Sequence, residues 1–443
     1  MEQVRELLKK NCFRDARKIL MDMNVVDIAN SLEEMPKEVV LVVFRLLPKD
    51  MGAEVFSYMS KEQKQYIVET VHEREVKNII SELFLDDAVE FLEEMPANIA
   101  KKVLQNTDPD TRRLINQLLQ YPDNSAGSVM TIEYVDLKKE MTVGAALSHI
   151  KETGVDKETV DNCFVTDANR VLEGVVSLRK LVLNDEQLKV GDIMDRQVIF
   201  AHTLDDQEEV AHTFKKYDLL SLPVVDNEER LVGIITIDDI VDIIEQEATE
   251  DFYKMAAMQP MEESYLKTPS FILAKNRLAW LTILMLSATF TGRIIQHFDD
   301  ALQAAVILAA FIPMLMDTGG NAGSQSSTSV IRGLALNEIG IKDAFLVIKK
   351  EFRISFMAGA SLAIINFLRL LLIEKVDLMV NLAVNFSLIC TVIMAKVTGG
   401  ILPIIAKKLK LDPALMAGPL ITTIVDAAAL IIYFSFAMWL LSI

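Results

Sequence analysis

After residue 270 the chain is built from apolar segments long enough to cross a bilayer, and this restricts that half to one architecture. Five of them run at roughly 275–297, 301–334, 348–373, 378–406 and 414–442, where about 20 residues suffice to span hydrocarbon as a helix. No water is present there to satisfy backbone N–H and C=O groups, so each segment is expected to bond internally as an α-helix. The last stretch, Pro413 to Ile443, carries a single charge, Asp426, near its middle. A carboxylate at that depth costs about 3 kcal/mol or more and marks a candidate functional site. Thr422 and Thr423 lie one turn earlier on the same face, and Gly418 and Pro419 interrupt the helix just before them. Two readings are open: a cation site facing a pore, or a structural ion pair with Lys396 of the preceding span.

The second apolar segment contains a polar run that lipid would not tolerate. Residues 317–329 read Asp-Thr-Gly-Gly-Asn-Ala-Gly-Ser-Gln-Ser-Ser-Thr-Ser and must face protein or water. Gly319, Gly320 and Gly323 would permit close backbone approach and exposed carbonyls, and Asn321, Ser324 and Gln325 offer oxygens to a hydrated ion. Small-residue helix packing accounts for the glycines and serines, but not for Asp317, Asn321 and Gln325 together. In the fourth segment Lys396, Gly399, Gly400 and Pro403 suggest a kinked, close-packed helix. Oxygen donors without a nearby His or Cys cluster suit a hard cation rather than zinc or copper. Magnesium dehydrates reluctantly and would be held through its waters. One subunit supplies few such groups, so a homodimer with two Asp426 side chains on one axis is expected.

Charge divides the chain in the same place. The net charge is −18 over 443 residues, but the first 270 residues carry −22 and the remainder +4. An acidic soluble half argues against nucleic acid and for divalent cations as partners. Cys12, Cys163 and Cys390 match no zinc or redox spacing and read as free thiols. The N-terminus lacks an apolar signal region. Lys267, Lys275, Arg277, Arg332, Lys342, Lys349, Lys350, Arg353, Lys407, Lys408 and Lys410 fall on one side of the five segments, against Arg293, Arg369 and Lys375 on the other. That bias predicts a multi-pass protein of the plasma (inner) membrane in contact with its lipid, with the N-terminus cytoplasmic and the C-terminus outside.

Residues 1–125 read as an all-α domain of helical repeats, with apolar residues at helical spacing in Val39-Val40-Val43-Leu46-Leu47 and Ile79-Ile80-Leu83-Leu85. A short unit recurs as Leu32-Glu-Glu-Met-Pro36, Phe56-Ser-Tyr-Met-Ser60 and Leu92-Glu-Glu-Met-Pro96; the residue after Met marks a turn and a helix start. No catalytic set is visible, and a non-enzymatic interaction or gating module is expected. Residues 126–245 alternate strands and helices twice: Val129-Met130-Thr131 recurs as Ile193-Met194-Asp195, and Gly174-Val-Val-Ser177 as Gly233-Ile-Ile-Thr236. Each copy is too small for a large core, so the two should pack as a pair. With Leu231-Val-Gly-Ile-Ile-Thr-Ile-Asp-Asp-Ile240, this resembles a tandem CBS module. In that family Thr236 and Asp239 would hold the ribose of ATP or another adenine nucleotide; the first copy has Arg179 and Lys180 where the second has Asp238 and Asp239.

Residues 238–251 follow a helical pattern crowded with acids, among them Asp239, Asp242, Glu250 and Asp251. Like charges at i,i+3 and i,i+4 repel unless a cation or partner intervenes. The stretch is either a solvated acidic helix or a cation-binding one, and it opens a connecting segment, 246–272, ahead of the membrane domain, 273–443.

Helical repeats, a CBS pair, an acidic connecting helix and five spans together resemble the MgtE magnesium channels over the whole chain. The specific motifs are Pro313-Met-Leu-Met-Asp-Thr-Gly-Gly-Asn-Ala-Gly-Ser-Gln325 and Asp412-Pro-Ala-Leu-Met-Ala-Gly-Pro-Leu-Ile-Thr-Thr-Ile-Val-Asp426. The resemblance implies a homodimeric Mg²⁺-selective channel lined by the second and fifth spans, with Asp426 as pore aspartate. It implies a plug helix that closes the pore when cytosolic Mg²⁺ is high. On that pattern Asp239, Asp242, Glu247, Glu250 and Asp251 hold regulatory ions, helped by Glu54, Asp86 and Glu90 of the helical domain and by Asp206, Glu208 and Asp218 of the second CBS copy. Gly418 stands where some members carry a polar residue and Asp317 where some carry none. The rival within transport is an Mg²⁺ exchanger coupled to Na⁺ or H⁺, which would want an inverted repeat or a second buried carboxylate. A CBS sensor merely anchored to the membrane is opposed by the polar second span and by Asp426.

Overall fold

The computed structural model describes residues 1–261, 265–266 and 268–442; Lys267, counted above among the basic residues, lies outside them. The chain divides into two compact units, Met1–Ile244 and Glu245–Ile443.

The first unit begins with ten short helices among the described residues, from Glu2–Lys9 to Pro109–Leu118. Helices of this length are marginal alone and depend on packing an amphipathic face. Their boundaries are set by turn residues: Pro36, Pro48 and Pro96 each occupy the N-cap of the following helix. At Glu73–Glu82 the same place is taken by His72, whose N–H donates to Glu75 Oε2 at 3.0 Å. The recurring unit now has a physical reading. Leu32, Phe56 and Leu92 are buried, as are Met35, Met59 and Met95, and the next residue caps a new helix.

The CBS pair consists of two three-stranded sheets: β1 (Asp136–Leu137), β2 (Asn162–Thr166) and β3 (Leu172–Ser177), then β4 (Ala201–His202), β5 (Ser221–Val225) and β6 (Leu231–Thr236). In each, the short first strand runs parallel to the second, and the second and third form an antiparallel pair. The copies also exchange backbone. Thr131 and Ile234 trade N–H···O bonds of 2.8 Å, and Val175 and Asp195 trade bonds of 2.9 and 2.8 Å. So the segment leading into each copy pairs with the last strand of the other. A side chain at Gly233 would collide with Met130 Sδ and the Thr131 carbonyl, and one at Gly174 with Met194 Sδ and the Asp195 carbonyl. The repeated Met and Gly are one lock used twice.

The helix that carries the acidic stretch runs Ile237–Met255, from the first unit into the second. It is called the connecting helix below. Ala257, at φ 51°, lies just beyond its end.

Among the described residues of the second unit, five helical segments are long and apolar enough to cross a membrane. The first, Ser270–His297, buries no residue within the unit and packs against the fifth. The fourth, Leu378–Lys408, is the most buried and packs on the second, third and fifth. The expected second segment, 301–334, is not one helix: Asp299–Ala304 and a 3₁₀ turn, Val306–Phe311, precede the α-helix Ile312–Ala335. The break falls at Ala305 (φ −143°, ψ 80°), and Pro313 at the start of the long helix needs no N–H partner. The third is Ala344–Arg369, continued as a π turn, Leu370–Glu374. The expected fifth segment is likewise divided, a 3₁₀ turn Pro413–Met416 preceding the α-helix Gly418–Leu441. The fold is thus an all-α helical-repeat domain, an α/β tandem CBS domain and a five-helix membrane domain.

Candidate cation sites

The second, fourth and fifth spans meet through small residues. A Cβ on Gly319 would touch Thr391 and Val425, and one on Gly323 would touch Ile421 and the Ala395 carbonyl. One on Gly399 would overlap the Gly323 carbonyl itself. The expectation that the glycines of the 317–329 run expose backbone carbonyls is therefore corrected. The helix is continuous from Ile312 to Ala335, and its glycines face neighbouring helices instead, because three backbones pack there at close range.

Ser326 and Ser327 are buried with the glycines, and the larger polar residues of that run take the opposite face. Asp317, Asn321 and Gln325, four residues apart, are all exposed on the single chain, and Asn321 Nδ2 donates to Asp317 Oδ1 at 3.1 Å. Asp426 stands about 12 Å along the fifth helix from Gly418. It is half-buried, lies within electrostatic reach of Asp317, and its Oδ1 is buried without a hydrogen-bond partner among the described residues. The alternative ion pair does not form: Lys396 is buried, and its Nζ donates to Gln325 Oε1 at 3.4 Å rather than to Asp426. Thr422 and Thr423 share the Asp426 face, but their hydroxyls donate to the Gly418 and Pro419 carbonyls at 2.8 and 3.0 Å. Only oxygen lone pairs remain to them for a ligand. Gly418 opens toward Ser324. The donor set here is carboxylate, amide and hydroxyl oxygen, which fits a hydrated hard cation.

A second carboxylate cluster lies in the first unit. Oxygens of Asp86, Glu133 and Glu158 come within 4.8 Å of one another. Asp86 sits in the first turn of Leu85–Glu94, whose leading N–H, on Leu85, donates to Glu133 Oε2 at 2.9 Å. Glu158 Oε2 is buried with no hydrogen-bond partner among the described residues. Burial pushes Asp86 up to about 7, with Asp87 adding to it. Burial and then Asp86 push Glu158 up to about 8 and Asp239 to about 7. Asp87 rises to about 6, first through burial and then through Glu90. Three crowded carboxylates with an orphaned oxygen fit a divalent cation.

Of the expected regulatory residues, the fold brings Asp86 and Asp239 together. Glu54 and Asp242 join Asp87 and Asp238 around Tyr58, whose hydroxyl is raised by burial and then by those acids. Glu90 is exposed beside Asp87. Asp206, Glu208 and Asp218 are not gathered at one point. Asp206 caps the helix Gln207–Tyr217 by accepting from Glu208 N–H at 2.9 Å, while Asp218 ends it in the left-handed region. Glu247, Glu250 and Asp251 belong to the second unit, where Asp251 is pushed up to about 6 by burial and then by Asp412. Thr236 Oγ1 donates to Asp239 Oδ2 at 2.7 Å, so the two residues expected at a ribose are paired with each other. Glu133 and Glu158 escaped the sequence reading. The one available signal was Glu133 next to the Met130-Thr131 strand-exchange motif.

The fold is that of a polytopic helical membrane protein with clusters of oxygen donors and a CBS module ahead of its spans. Known proteins narrow the class. Residues 312–436 match the MgtE divalent cation transporter family, residues 23–124 the MgtE intracellular N domain, and residues 190–246 the CBS domain. The magnesium transporter MgtE of Thermus thermophilus is 36% identical over 446 residues, covering 99% of this chain and 98% of the relative. That of Bacillus subtilis is 34% identical, covering 97% and 95%. Among solved structures, the cytosolic domain of the Mg²⁺ channel MgtE in complex with ATP covers 54% of this chain and 98% of its own at 36% identity, with a TM-score of 0.52. The soluble part of a magnesium transporter covers 56% and 97% at 29% identity, with a TM-score of 0.53. The chain belongs to the MgtE family of magnesium transporters.

Proposed function

We propose that this chain forms a homodimeric Mg²⁺ channel that admits Mg²⁺ to the cytoplasm and is closed by cytosolic Mg²⁺. The observation that carries the reading is the polar face Asp317–Asn321–Gln325, exposed on the single chain beside an unpartnered Asp426 oxygen. Lipid cannot cover that face, whereas a second copy placing its own stripe opposite would enclose a water-filled path. Two Asp426 carboxylates then attract a hydrated Mg²⁺, and amide and hydroxyl oxygens orient its waters. The basic residues between spans support a cytoplasmic N-terminus and an external C-terminus in the cell membrane.

For closure, Mg²⁺ binding among Asp86, Glu133, Glu158 and Asp239 neutralises carboxylates that otherwise repel. Glu247, Glu250 and Asp251 offer further oxygens on the connecting helix. An ion that binds the closed arrangement more tightly shifts the population toward it. The second CBS copy, through Thr236 and Asp239, takes an adenine nucleotide, as the ATP complex of the relative's cytosolic domain supports. The domain limits read from the sequence, 1–125, 126–245, 246–272 and 273–443, are proposed as functional divisions.

Asp426→Asn keeps the shape and removes the charge. Mg²⁺ uptake by proteoliposomes holding only this protein should fall by about 100-fold, on the scale of losing a buried charge contact, with the dimer retained. Wild-type uptake by that variant would sink the assignment, and single-channel currents separate a channel from a coupled exchanger.

A further inference from the structure

The connecting helix ends within the unit that holds the spans. In its last turn Lys254 Nζ pairs with Glu250, one turn earlier, and with Asp412 at 2.6 Å. Asp412 is the N-cap of the Pro413–Met416 turn and accepts the Ala414 N–H at 2.8 Å. The Met416 carbonyl at the end of that turn accepts from Ser327 Oγ of the second span at 2.6 Å. Gly418 then starts the helix that carries Asp426. A continuous line of short polar contacts thus runs from the connecting helix to the entrance of the fifth span and on to the second.

The joint is built to hold. Burial pulls the Lys254 ammonium down, but hydrogen bonds to Asp412 and Glu250 outweigh it and keep the group above its ordinary range. Both Lys254 and Asp412 are about three-quarters shielded from solvent, so water screens their contact less than a surface pair. The entrance turn is held at both ends, by the Asp412 cap and by the Ser327 hydroxyl on the Met416 carbonyl. Ala417 has φ −93° and ψ −161°, and Lys410, just before the turn, sits at φ 58°.

We propose that Lys254 is the positioning residue that couples the connecting helix to the pore: its ion pair with Asp412 transmits the helix's position to the Pro413–Met416 turn and so to Asp426. This rests on the reading that cytosolic Mg²⁺ closes the channel, and it adds the route by which closure reaches the pore. Lys254 touches no permeating ion; it acts through Asp412.

The test uses two neutralising variants of the full-length protein. Lys254→Met removes the ammonium at similar length. Asp412→Asn removes the charge but keeps a side-chain oxygen able to cap the turn. In inside-out patches, each should raise the Mg²⁺ concentration for half closure about fivefold, the scale of one partly shielded ion pair. The double variant should also shift about fivefold, because both changes remove the same contact. Lys254→Arg should close near the wild-type concentration. Hydrogen exchange of the backbone amides of residues 414–418 should slow on adding Mg²⁺ to wild type and Lys254→Arg, and not to Lys254→Met. Unshifted single variants, or a double variant shifted by the product of the two, would overturn the coupling. A wild-type channel indifferent to Mg²⁺ would instead sink the closure reading on which it stands.

Discussion

Mg²⁺ binding to the acidic residues around Asp86 in the first unit should expel protons at neutral pH. Asp86 and Asp239 sit near 7 and Glu158 near 8, against about 4 for carboxyl groups in the unfolded chain. Between pH 4 and 8 the folded unit therefore holds protons that the unfolded chain has released. Without divalent ions its stability falls as pH rises through that window, since ∂ΔG/∂pH follows the difference in protons bound, unfolded minus folded. At pH 7 these groups, which raise one another, are therefore partly protonated as a set. A divalent cation takes the carboxylates ionised, so those protons must leave. Titration calorimetry at pH 7 in buffers of different ionisation enthalpy should give an apparent enthalpy that changes with the buffer, the slope counting the protons released. The apparent affinity should rise from pH 6 to pH 8. Glu158→Gln should cut the proton count by about one. A buffer-independent enthalpy in wild type would refute the argument: the cluster would then be ionised already or would bind no cation.

Two further outcomes follow from the membrane unit. Gly399→Ala drives a methyl group into the Gly323 carbonyl, a collision between two helix backbones that no side chain can relieve; it should cost about 1–3 kcal/mol or more and lower the thermal midpoint in detergent by several degrees, and an unchanged midpoint would show that the two helices are not packed this closely. Asn321→Cys places a thiol on the exposed polar stripe, so copper phenanthroline should cross-link two chains in membranes at that position while Leu286→Cys, on the exposed apolar surface of the first span, should not; no cross-link at residue 321 would refute a pore shared between copies.

Sequence alone determined what local chemistry can determine. Five long apolar stretches must be helices, because hydrocarbon leaves the backbone no other partner. Asp426 stood out because a lone carboxylate there is costly wherever its helix packs. The Met and Gly repeats announced two like copies. Which faces meet was decided only by the tertiary structure. Lys396, thirty residues before Asp426 in the chain, looked like its natural partner, but helix packing turns it to Gln325. The glycines of the 317–329 run looked suited to exposing carbonyls, yet the second span uses them to admit its neighbours and turns its polar stripe away. Glu133 and Glu158 lie in different segments of the first CBS copy, and apart from the Met130-Thr131 motif beside Glu133 nothing local marks them; strand exchange and the docking of Leu85–Glu94 carry them to Asp86. Periodicity fixes which residues share a face of one element, because it is a property of the local backbone. The partner across the gap depends on how whole elements pack, and that is written in no single stretch of the chain.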